Sequence, residues 1–329
     1  MNLEILGTGS AVPDLHVSNV DLESVIDTND EWIKERTGIG ARYIARDDDA
    51  TTLAVKAAKK AIEAASIDPA EIDVVIACTT SGTDLLPCIA CKVQAEIGAV
   101  NAYGFDISAA CTGFMIAMAT AQGYMEAGIC KTALLIGTEQ LSKIMNWSDR
   151  GSCILFGDGA GAAVVRAGQG KKYLPAIHSD GLGGDALICK TLYSEDTVLD
   201  EIRNFKNEDG VAKTDKVTMD GKAVFQFAIK QVPIVIKEVL EKNEVSLDDV
   251  DLFVLHQANK RIIESIARRL KQPEEKFPTN VAEYGNTSSA SIPILLDELV
   301  RNGHVKKGMK LCMAGFGAGL TWGAMIIDY

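Results

Sequence analysis

The chain has 329 residues, with 33 Lys and Arg against 45 Asp and Glu, which gives a formal net charge of −12. This acidity argues against nucleic-acid binding, which needs several cations on one face. The 47% hydrophobic and 24% charged residues are ordinary globular values, so a mainly disordered chain is excluded. The length predicts about two domains or one large one.

The amino-terminal segment lacks the basic start of a signal peptide, and no apolar run reaches the roughly 18 residues of a membrane-spanning helix. We therefore expect a cytoplasmic protein with no membrane partner. The eight cysteines are interpreted as thiols rather than disulfides. Cys88 and Cys91 form one CxxC pair without a second pair or a nearby histidine, so no metal site is expected.

Two segments 178 residues apart are similar. Residues 66–78 (SIDPAEIDVVIAC) and 244–256 (EVSLDDVDLFVLH) each have an acidic polar turn before an apolar run. Helical apolar spacing precedes both. The same offset relates two further pairs of segments: 107–114 with 285–292, and 132–137 with 310–315. Several matches in one register indicate a duplicated α/β unit.

The predicted strands are nearly continuous apolar runs, which is typical of sheets buried on both faces. Helices are predicted between them, so the fold class is α/β in layers. We divide the chain into an amino-terminal half, 1–170, and a carboxy-terminal half, 171–329. In a duplicated unit the ends of equivalent strands and helices face each other, so the site is expected where the halves meet.

Cys111 lies in DISAACTGF, a turn of small residues that leads into a predicted helix. The positive end of a helix dipole lowers the pKa of a nearby thiol and favours the nucleophilic thiolate. We therefore predict that Cys111 is a nucleophile, the alternative being a packed core cysteine.

The same duplication identifies His256 and Asn286 as candidate site residues. His256 comes directly after a buried strand, and Asn286, in EYGNTSSAS, precedes a predicted helix. Both lie on edges that correspond to the position of Cys111, so the three residues can converge. A histidine at the mouth of a buried strand suits proton transfer or hydrogen bonding, whereas Asn286 taken alone would be a helix N-cap.

Three glycine-rich segments lack the context of a dinucleotide-binding loop. GTGSAVP at 7–13 runs into a proline, and GDGAG at 157–161 precedes a strand and is interpreted as structural packing. GFGAG at 315–319 is a predicted turn between two strands. Its backbone N–H groups are candidates for binding an oxyanion.

At these residues the chain resembles the β-ketoacyl-acyl-carrier-protein synthase III family of thiolase-fold condensing enzymes. The motifs that carry the resemblance span essentially the whole chain: WIKERTGI at 32–39, ACTGF around Cys111, HQANKRI at His256, GNTSSASIP at Asn286, and GFGAGLTWG near the end. The resemblance implies a five-layer αβαβα fold, in agreement with the internal repeat.

The resemblance implies a decarboxylative Claisen condensation that starts fatty-acid synthesis. Cys111 would take the acyl group of an acyl-CoA primer, acetyl or somewhat larger, as a thioester. Malonyl-acyl carrier protein would then lose CO₂, while His256 and Asn286 stabilise the enolate that attacks the acyl group. Backbone N–H groups of Cys111 and of Gly317 or Ala318 would bind the oxyanion. Both partners are substrates, and no cofactor is implied.

The family also implies which residues bind the substrates. Trp32 would stack on the adenine of CoA, with Arg150 on its other face and Arg36 near the phosphates. Further CoA contacts are expected at Thr37, Gly151, Gly221, Phe225 and Ala258. Four cations would form the patch that binds the acidic carrier protein: Lys260, Arg261, Arg268 and Arg269.

The acyl pocket is assigned to Leu86 and Phe316. Leu86 stands where a dimer partner of this family inserts a residue that limits acyl length, so a side chain smaller than phenylalanine would admit primers larger than acetyl. A homodimer is implied, with a strand near 104–108 pairing across the interface.

Two features depart from the family pattern. Gln226 replaces a lysine that usually contacts the carrier protein, and the polar segment 185–215 is longer than expected. They keep open an enzyme of specialised, polyketide-like metabolism or an acyltransferase that does not condense. A non-catalytic protein is a further alternative.

Overall fold

The structure, a computed structural model, describes residues 2–190 and 216–329. Most of the polar segment 185–215 therefore lies outside the described residues. Thirteen strands are described: β1 Asn2–Ala11, β2 Leu15–Ser18, β3 Ala41–Ile44, β4 Val74–Cys78, β5 Tyr103–Ile107, β6 Thr132–Glu139, β7 Gly159–Gly168, β8 Ala176–Ser179, β9 Leu187–Ile188, β10 Thr218–Met219, β11 Leu252–Leu255, β12 Lys310–Gly317 and β13 Thr321–Asp328.

Nine α-helices accompany these strands in the same two ranges: α1 Asn19–Glu23, α2 Asp30–Thr37, α3 Ala50–Ala65, α4 Ile89–Ile97, α5 Gly113–Glu126, α6 Gly221–Lys242, α7 Lys260–Leu270, α8 Val281–Tyr284 and α9 Ser291–Arg301. None of them is long and apolar enough to cross a membrane.

Two sheets form the centre of the molecule. The first has the strand order β1-β7-β6-β4-β5, and the second β11-β12-β13-β8. In the first, β4 is parallel to β5 and β6; in the second, β11 is parallel to β12. Every residue of β4 and β6 is buried, as the apolar runs predicted. The strands of the two sheets lie on either side of residue 170, and the domain boundary placed there stays a prediction.

Helices cover both faces of both sheets. Helices α3 and α4 pack on the outer face of the first sheet, α5 and α9 lie between the sheets, and α6 and α7 cover the second. The predicted five-layer αβαβα arrangement is therefore confirmed. The middle layer matters most for the site, because α5 and α9 begin where the sheets face each other.

The glycines of GTGSAVP pack the outer layer closely. They lie inside β1, and a Cβ on Gly9 would come within 2.4 Å of the Ala57 oxygen on α3. Gly157 and Gly161 of GDGAG approach neighbouring backbone equally closely, with a Cβ at Gly161 falling 2.7 Å from the Ile294 nitrogen. Both segments therefore serve packing, which confirms the interpretation made for GDGAG.

The internal repeat keeps its register in three dimensions. Strand β6 maps onto β12 at the offset of 178, residue for residue. Ala110 and Ser288, which the offset also relates, both adopt left-handed backbone conformations, with φ of 46° and 49°. The duplication is therefore real at the level of backbone geometry. It fails at β5, whose counterpart region holds the short helix α8.

Candidate active site

Cys111 lies at the start of the middle layer. A single 3-10 turn, Ala110–Thr112, leads directly into α5, and the cysteine side chain is buried. The left-handed conformation of Ala110 is uncommon for a residue with a Cβ and is a form of strain that recurs at functional sites. The Cys111 Sγ donates a hydrogen bond to Ser288 Oγ at 3.4 Å.

The expected lowering of the Cys111 pKa is wrong for the resting thiol. Burial raises the pKa of Cys111 to about 12, although the hydrogen bond to Ser288 acts in the opposite direction. Desolvation of a thiolate in a closed site exceeds the gain from the start of one helix. The thiol must therefore lose its proton in the course of the reaction.

His256 follows β11 and is also buried. Its Nδ1 lies 2.6 Å from Ser291 Oγ in the first turn of α9, and its ring meets Phe316 edge to face at 5.4 Å. Burial lowers the pKa of His256 to about 3. The imidazole is consequently neutral at physiological pH, and one of its two nitrogens can donate a hydrogen bond.

Asn286 is held by its backbone rather than by capping a helix. Its N–H donates to Leu155 O at 2.8 Å, and its carbonyl accepts from Gly157 N at 3.0 Å. The side-chain Oδ1 accepts from Ser288 N at 2.9 Å. Because Oδ1 is occupied in this way, the Nδ2 amide is the part of the side chain left to donate into the site.

One cavity of about 530 Å³ is lined by all three residues, Cys111, His256 and Asn286. It runs between the two halves of the chain, which is where the duplication predicted a site. Most residues predicted to bind CoA line the same cavity: Trp32, Arg36, Thr37, Gly151, Gly221, Phe225 and Ala258. Phe316, Gly317 and Arg261 line it as well.

Trp32 lines this cavity, and two arginines lie over its ring. The guanidinium carbons of Arg36 and Arg150 lie 5.0 and 5.4 Å from the centre of its ring. Arg150 is oriented by the Asp27 carbonyl at 3.0 Å. Arg150 was expected on the other face of the adenine and Arg36 near the phosphates; in the structure, both guanidinium groups lie over the Trp32 ring.

The end of β12 comes close to the nucleophile. A Cβ on Gly317 would lie only 2.8 Å from the Cys111 nitrogen, so only glycine permits this approach of the two backbones. GFGAG differs from the predicted turn, because its first three residues belong to β12 and the chain turns at 318–320.

Known proteins show the same architecture. The family 3-Oxoacyl-[acyl-carrier-protein (ACP)] synthase III matches residues 105–181, and its C-terminal region matches residues 240–329. Beta-ketoacyl-[acyl-carrier-protein] synthase III of Clostridium acetobutylicum is 46% identical over 329 residues, which are 100% of this chain and 99% of that protein. This chain belongs to the β-ketoacyl-acyl-carrier-protein synthase III family.

Solved structures agree with this assignment. The 3-oxoacyl-[acyl-carrier-protein] synthase III from Aquifex aeolicus VF5 has a TM-score of 0.89 at 39% identity over 100% of both chains. The priming beta-ketosynthase of the R1128 polyketide biosynthetic pathway has a TM-score of 0.90 at 37% identity, covering 99% of this chain and 96% of that one. The predictions of a thiolase fold and of an acyl-transferring condensing enzyme are confirmed.

A second cavity, which the sequence did not reveal in this synthase III chain, opens on the other side of Cys111. It measures about 310 Å³ and shares Cys111, Phe156 and Leu187 with the first cavity. Its apolar lining comes from separate parts of the chain: Leu141, Ile144, Met145, Leu187, Ile188 and Val217. In the sequence, three of these residues belong to the segment QLSKIM that follows β6, at 140–145.

The two residues assigned to the acyl pocket lie elsewhere in this chain. Leu86 lines neither cavity and is 84% exposed, and Phe316 lines the first cavity beside His256 rather than the second. Ala318, predicted with Gly317 near the oxyanion, lines the second cavity. A single chain therefore builds its apolar pocket without Leu86.

The predicted basic patch lies on α7. Lys260, Arg261, Arg268 and Arg269 are all exposed, and Arg261 reaches the mouth of the first cavity with its guanidinium 5.8 Å from the Phe225 ring. On the adjacent helix α6, Gln226 is exposed one turn after Lys222, which lines the cavity.

Proposed function

We propose that the protein condenses an acyl-CoA primer with malonyl-acyl carrier protein and so starts fatty-acid synthesis. The observation that carries the proposal is the convergence of a buried thiol, a neutral imidazole and a free amide donor on one cavity with an aromatic mouth. Both halves of the reaction are thioester chemistry, for which these groups suffice without a cofactor.

In the first half, Cys111 attacks the thioester carbonyl of the primer and CoA leaves. The negative charge on the carbonyl oxygen is stabilised by the N–H groups of Cys111 and of the chain at Gly317–Ala318. The close approach of Gly317 to the Cys111 nitrogen supports this pairing of donors.

In the second half, the malonyl group loses CO₂ and becomes an enolate. His256 and Asn286 donate hydrogen bonds to its thioester oxygen. If Ser291 Oγ donates to His256 Nδ1, the other nitrogen, Nε2, carries the proton and becomes the donor. The enolate then attacks acyl-Cys111 and expels the cysteine thiolate, which forms the 3-oxoacyl product.

CoA is bound at the mouth of the first cavity. Its adenine stacks on Trp32 with Arg150 on its other face, the phosphates meet Arg36, and the pantetheine arm runs down the cavity to Cys111. The aromatic ring and two guanidinium groups at the opening support this direction of entry.

Replacing Trp32 with alanine is expected to raise the KM for acyl-CoA about tenfold, because base stacking contributes ~1–3 kcal/mol. The rate at saturating primer changes little, since the tryptophan does not touch Cys111. Steady-state kinetics with varied acetyl-CoA measure both. Trp147→Ala is the matched control, because Trp147 lines neither cavity; an unchanged KM in Trp32→Ala would contradict the stacking.

The second cavity holds the acyl chain of the primer, and a partner subunit closes it. Its apolar lining beside Cys111 supports the first statement. Four exposed apolar side chains near the free edge of the first sheet support a homodimer: Leu85, Leu86, Val100 and Tyr103. Strand β5 is the edge strand there, so it is free to pair with its copy.

Leu86→Phe is expected to narrow the primer range. A larger ring inserted from the partner fills the acyl cavity, so the preference for acetyl-CoA over four- and five-carbon primers rises at least ~10-fold. Competition between CoA thioesters measures the ratio. Leu85→Phe is the control, since it adds the same ring at an adjacent exposed position. An unaltered primer profile in Leu86→Phe would remove this residue from the acyl pocket.

The carrier protein docks on the exposed cations of α7. Carrier proteins of this pathway are acidic, and an enzyme of net charge −12 needs a local positive surface to attract one. The position of Arg261 at the cavity mouth supports α7 as that surface, and Lys222 takes the role that Gln226 lacks.

Reversing Arg268 and Arg269 to glutamate is expected to raise the KM for malonyl-acyl carrier protein at least ~10-fold and to weaken its salt dependence. Acylation of Cys111 by acyl-CoA stays at the wild-type rate, because neither arginine lines the cavity. The control for net charge replaces Lys59 and Lys131, two exposed lysines of the first half, with glutamate. Equal effects of both double variants would refute a specific patch.

A related condensing enzyme of specialised metabolism is the second candidate. The similarity to the R1128 priming ketosynthase at 37% identity favours keeping it. The two candidates differ in primer and in the carrier protein they accept, not in chemistry. The cytoplasmic location expected from the sequence stays a prediction for either.

The function is tested by supplying purified enzyme with an acyl-CoA primer and the malonyl form of a fatty-acid carrier protein. Formation of 3-oxoacyl-carrier protein with release of CoA and CO₂ supports the proposal. Transfer of the acyl group to carrier protein without loss of CO₂ would make the protein a non-condensing acyltransferase. Condensation with a polyketide carrier protein alone would favour the second candidate.

A further inference from the structure

A buried carboxyl group beside the nucleophile has no role in the mechanism above. Glu139, the last residue of β6, is 0% exposed. Its partners are hydroxyl groups and one amide: Oε2 accepts from Ser81 Oγ at 2.5 Å and from Thr80 N at 3.0 Å, and Oε1 lies 2.9 Å from Ser289 Oγ. Burying a carboxyl here is costly, and these donors favour its charged form only in part.

Ser288 links this carboxyl to the nucleophile. The Cys111 thiol donates to Ser288 Oγ at 3.4 Å, and the Ser288 hydroxyl lies near enough to Glu139 to act on the pKa of its carboxyl in the downward direction, against the effect of burial. Ser288 is held in a left-handed backbone conformation, φ 49°, that places its hydroxyl between the two groups. One hydroxyl group therefore bonds the thiol and lies beside the carboxyl, where it can relay a proton from Sγ to the carboxylate.

The thiol needs such an acceptor. Burial raises the pKa of Cys111, and burial lowers the pKa of His256 to about 3, so the imidazole holds a proton poorly. Burial also raises the pKa of Glu139, which makes its carboxylate a better base than an exposed one. The thiols of Cys78 and Cys111 are the titratable groups whose charge interacts with it among residues 2–190 and 216–329.

We propose that Glu139 accepts the Cys111 thiol proton through the hydroxyl of Ser288 and keeps it until condensation returns it. The inference rests on the proposed acylation of Cys111. During acylation the S–H proton passes to Ser288 Oγ while the Ser288 proton passes to the carboxylate. The new bond joins Sγ to the acyl carbon, the bond to CoA breaks, and the CoA thiolate takes a proton from water.

The second half restores the starting state. Loss of CO₂ leaves the malonyl carbon as an enolate, which bonds to the acyl carbon and expels the Cys111 thiolate. This thiolate takes the stored proton back along the same path, which leaves Glu139 ionised. The cycle consumes one proton overall, and this proton is taken up in the acylation half.

Proton uptake during acylation can be measured directly. Wild-type enzyme is mixed with acetyl-CoA alone in weakly buffered solution near neutral pH, with an indicator dye for protons and intact mass for acyl-Cys111. The expected result is one proton taken up for each acyl group bound. Glu139→Gln and Ser288→Ala are expected to take up none and to acylate ~10²-fold more slowly, the usual scale of general base catalysis.

The variants are chosen so that a folding defect does not decide the result. Ser288→Ala leaves the contacts of Glu139 with Thr80 and Ser81 intact. Asp158→Asn is the control, because Asp158 is also a buried carboxyl that accepts from a serine, Ser142, but makes no contact with Cys111. It is expected to keep the uptake of one proton for each acyl group.

Two outcomes overturn the inference while the proposed function stands. The first is acyl-Cys111 formation by wild-type enzyme without proton uptake, and the second is full uptake by Ser288→Ala. Absence of any acyl-Cys111 in the wild type would instead overturn the proposed function, and this inference with it.

Discussion

Replacing Cys111 with alanine is expected to abolish the acyl adduct and to lower formation of 3-oxoacyl-carrier protein at least ~10⁴-fold, the scale at which enzymes lose activity with their nucleophile. The residual donors of the site remain in place, because His256 is held by Ser291 and Asn286 by the backbone at 155–157. Decarboxylation of malonyl-carrier protein therefore continues in the variant. Intact mass and CO₂ release measure the two activities separately.

Cys153→Ala is the matched control for the nucleophile. Cys153 is fully buried, lines neither cavity, and packs in a separate core group with Ile33 and Ile39. It is expected to keep both the adduct and condensation. Acylation that persists in Cys111→Ala would show that another group accepts the acyl chain.

Replacing His256 with alanine is expected to impair decarboxylation and condensation but not acylation, the reverse of the Cys111→Ala effect on acylation and decarboxylation. Acyl-Cys111 still forms, because the oxyanion donors and Glu139 do not involve the imidazole. Malonyl decarboxylation and condensation fall ~10²–10³-fold, the loss typical of one donor to a developing oxyanion. The measurement is single-turnover CO₂ release from enzyme that has been acylated beforehand.

The pH dependence of the decarboxylation rate distinguishes a neutral His256 imidazole from a charged one as the hydrogen-bond donor. Because burial lowers the pKa of His256 to about 3, the imidazole does not change charge between pH 5 and 8. The rate of decarboxylation by the wild-type enzyme should therefore not change with the protonation of this residue between pH 5 and 8. A rise in rate on acidification through pH 6 would mean that the imidazolium acts instead. His178→Ala, which removes a half-exposed histidine paired with Glu238, is the control for loss of a histidine.

Much of the fold followed from the sequence because duplication fixes relative positions. The offset of 178 residues placed β6 on β12 and the turn of Cys111 on that of Ser289, and the structure keeps this register. Apolar runs identify strands that are buried on both faces without knowledge of their neighbours. The same logic brought Cys111, His256 and Asn286 to one cavity before any distance was available.

Other features depend on contacts that no single segment encodes. The second cavity is lined by residues from eight separate stretches of the chain, so no single stretch reveals it. Glu139 ends an apolar run and gives no sign that hydroxyl groups from two distant loops surround it. The Cys111 pKa was predicted in the wrong direction because helix position can be read from sequence, whereas the depth of burial cannot.

The most direct test of condensation through acyl-Cys111 is a chase experiment on wild-type enzyme. The protein is first acylated with an acyl-CoA, its intact mass and the modified peptide are recorded, and malonyl-acyl carrier protein is then added. We expect a single acyl group on Cys111 that disappears at the rate at which 3-oxoacyl-carrier protein appears. An adduct on another residue, or one that persists while product forms, would contradict it.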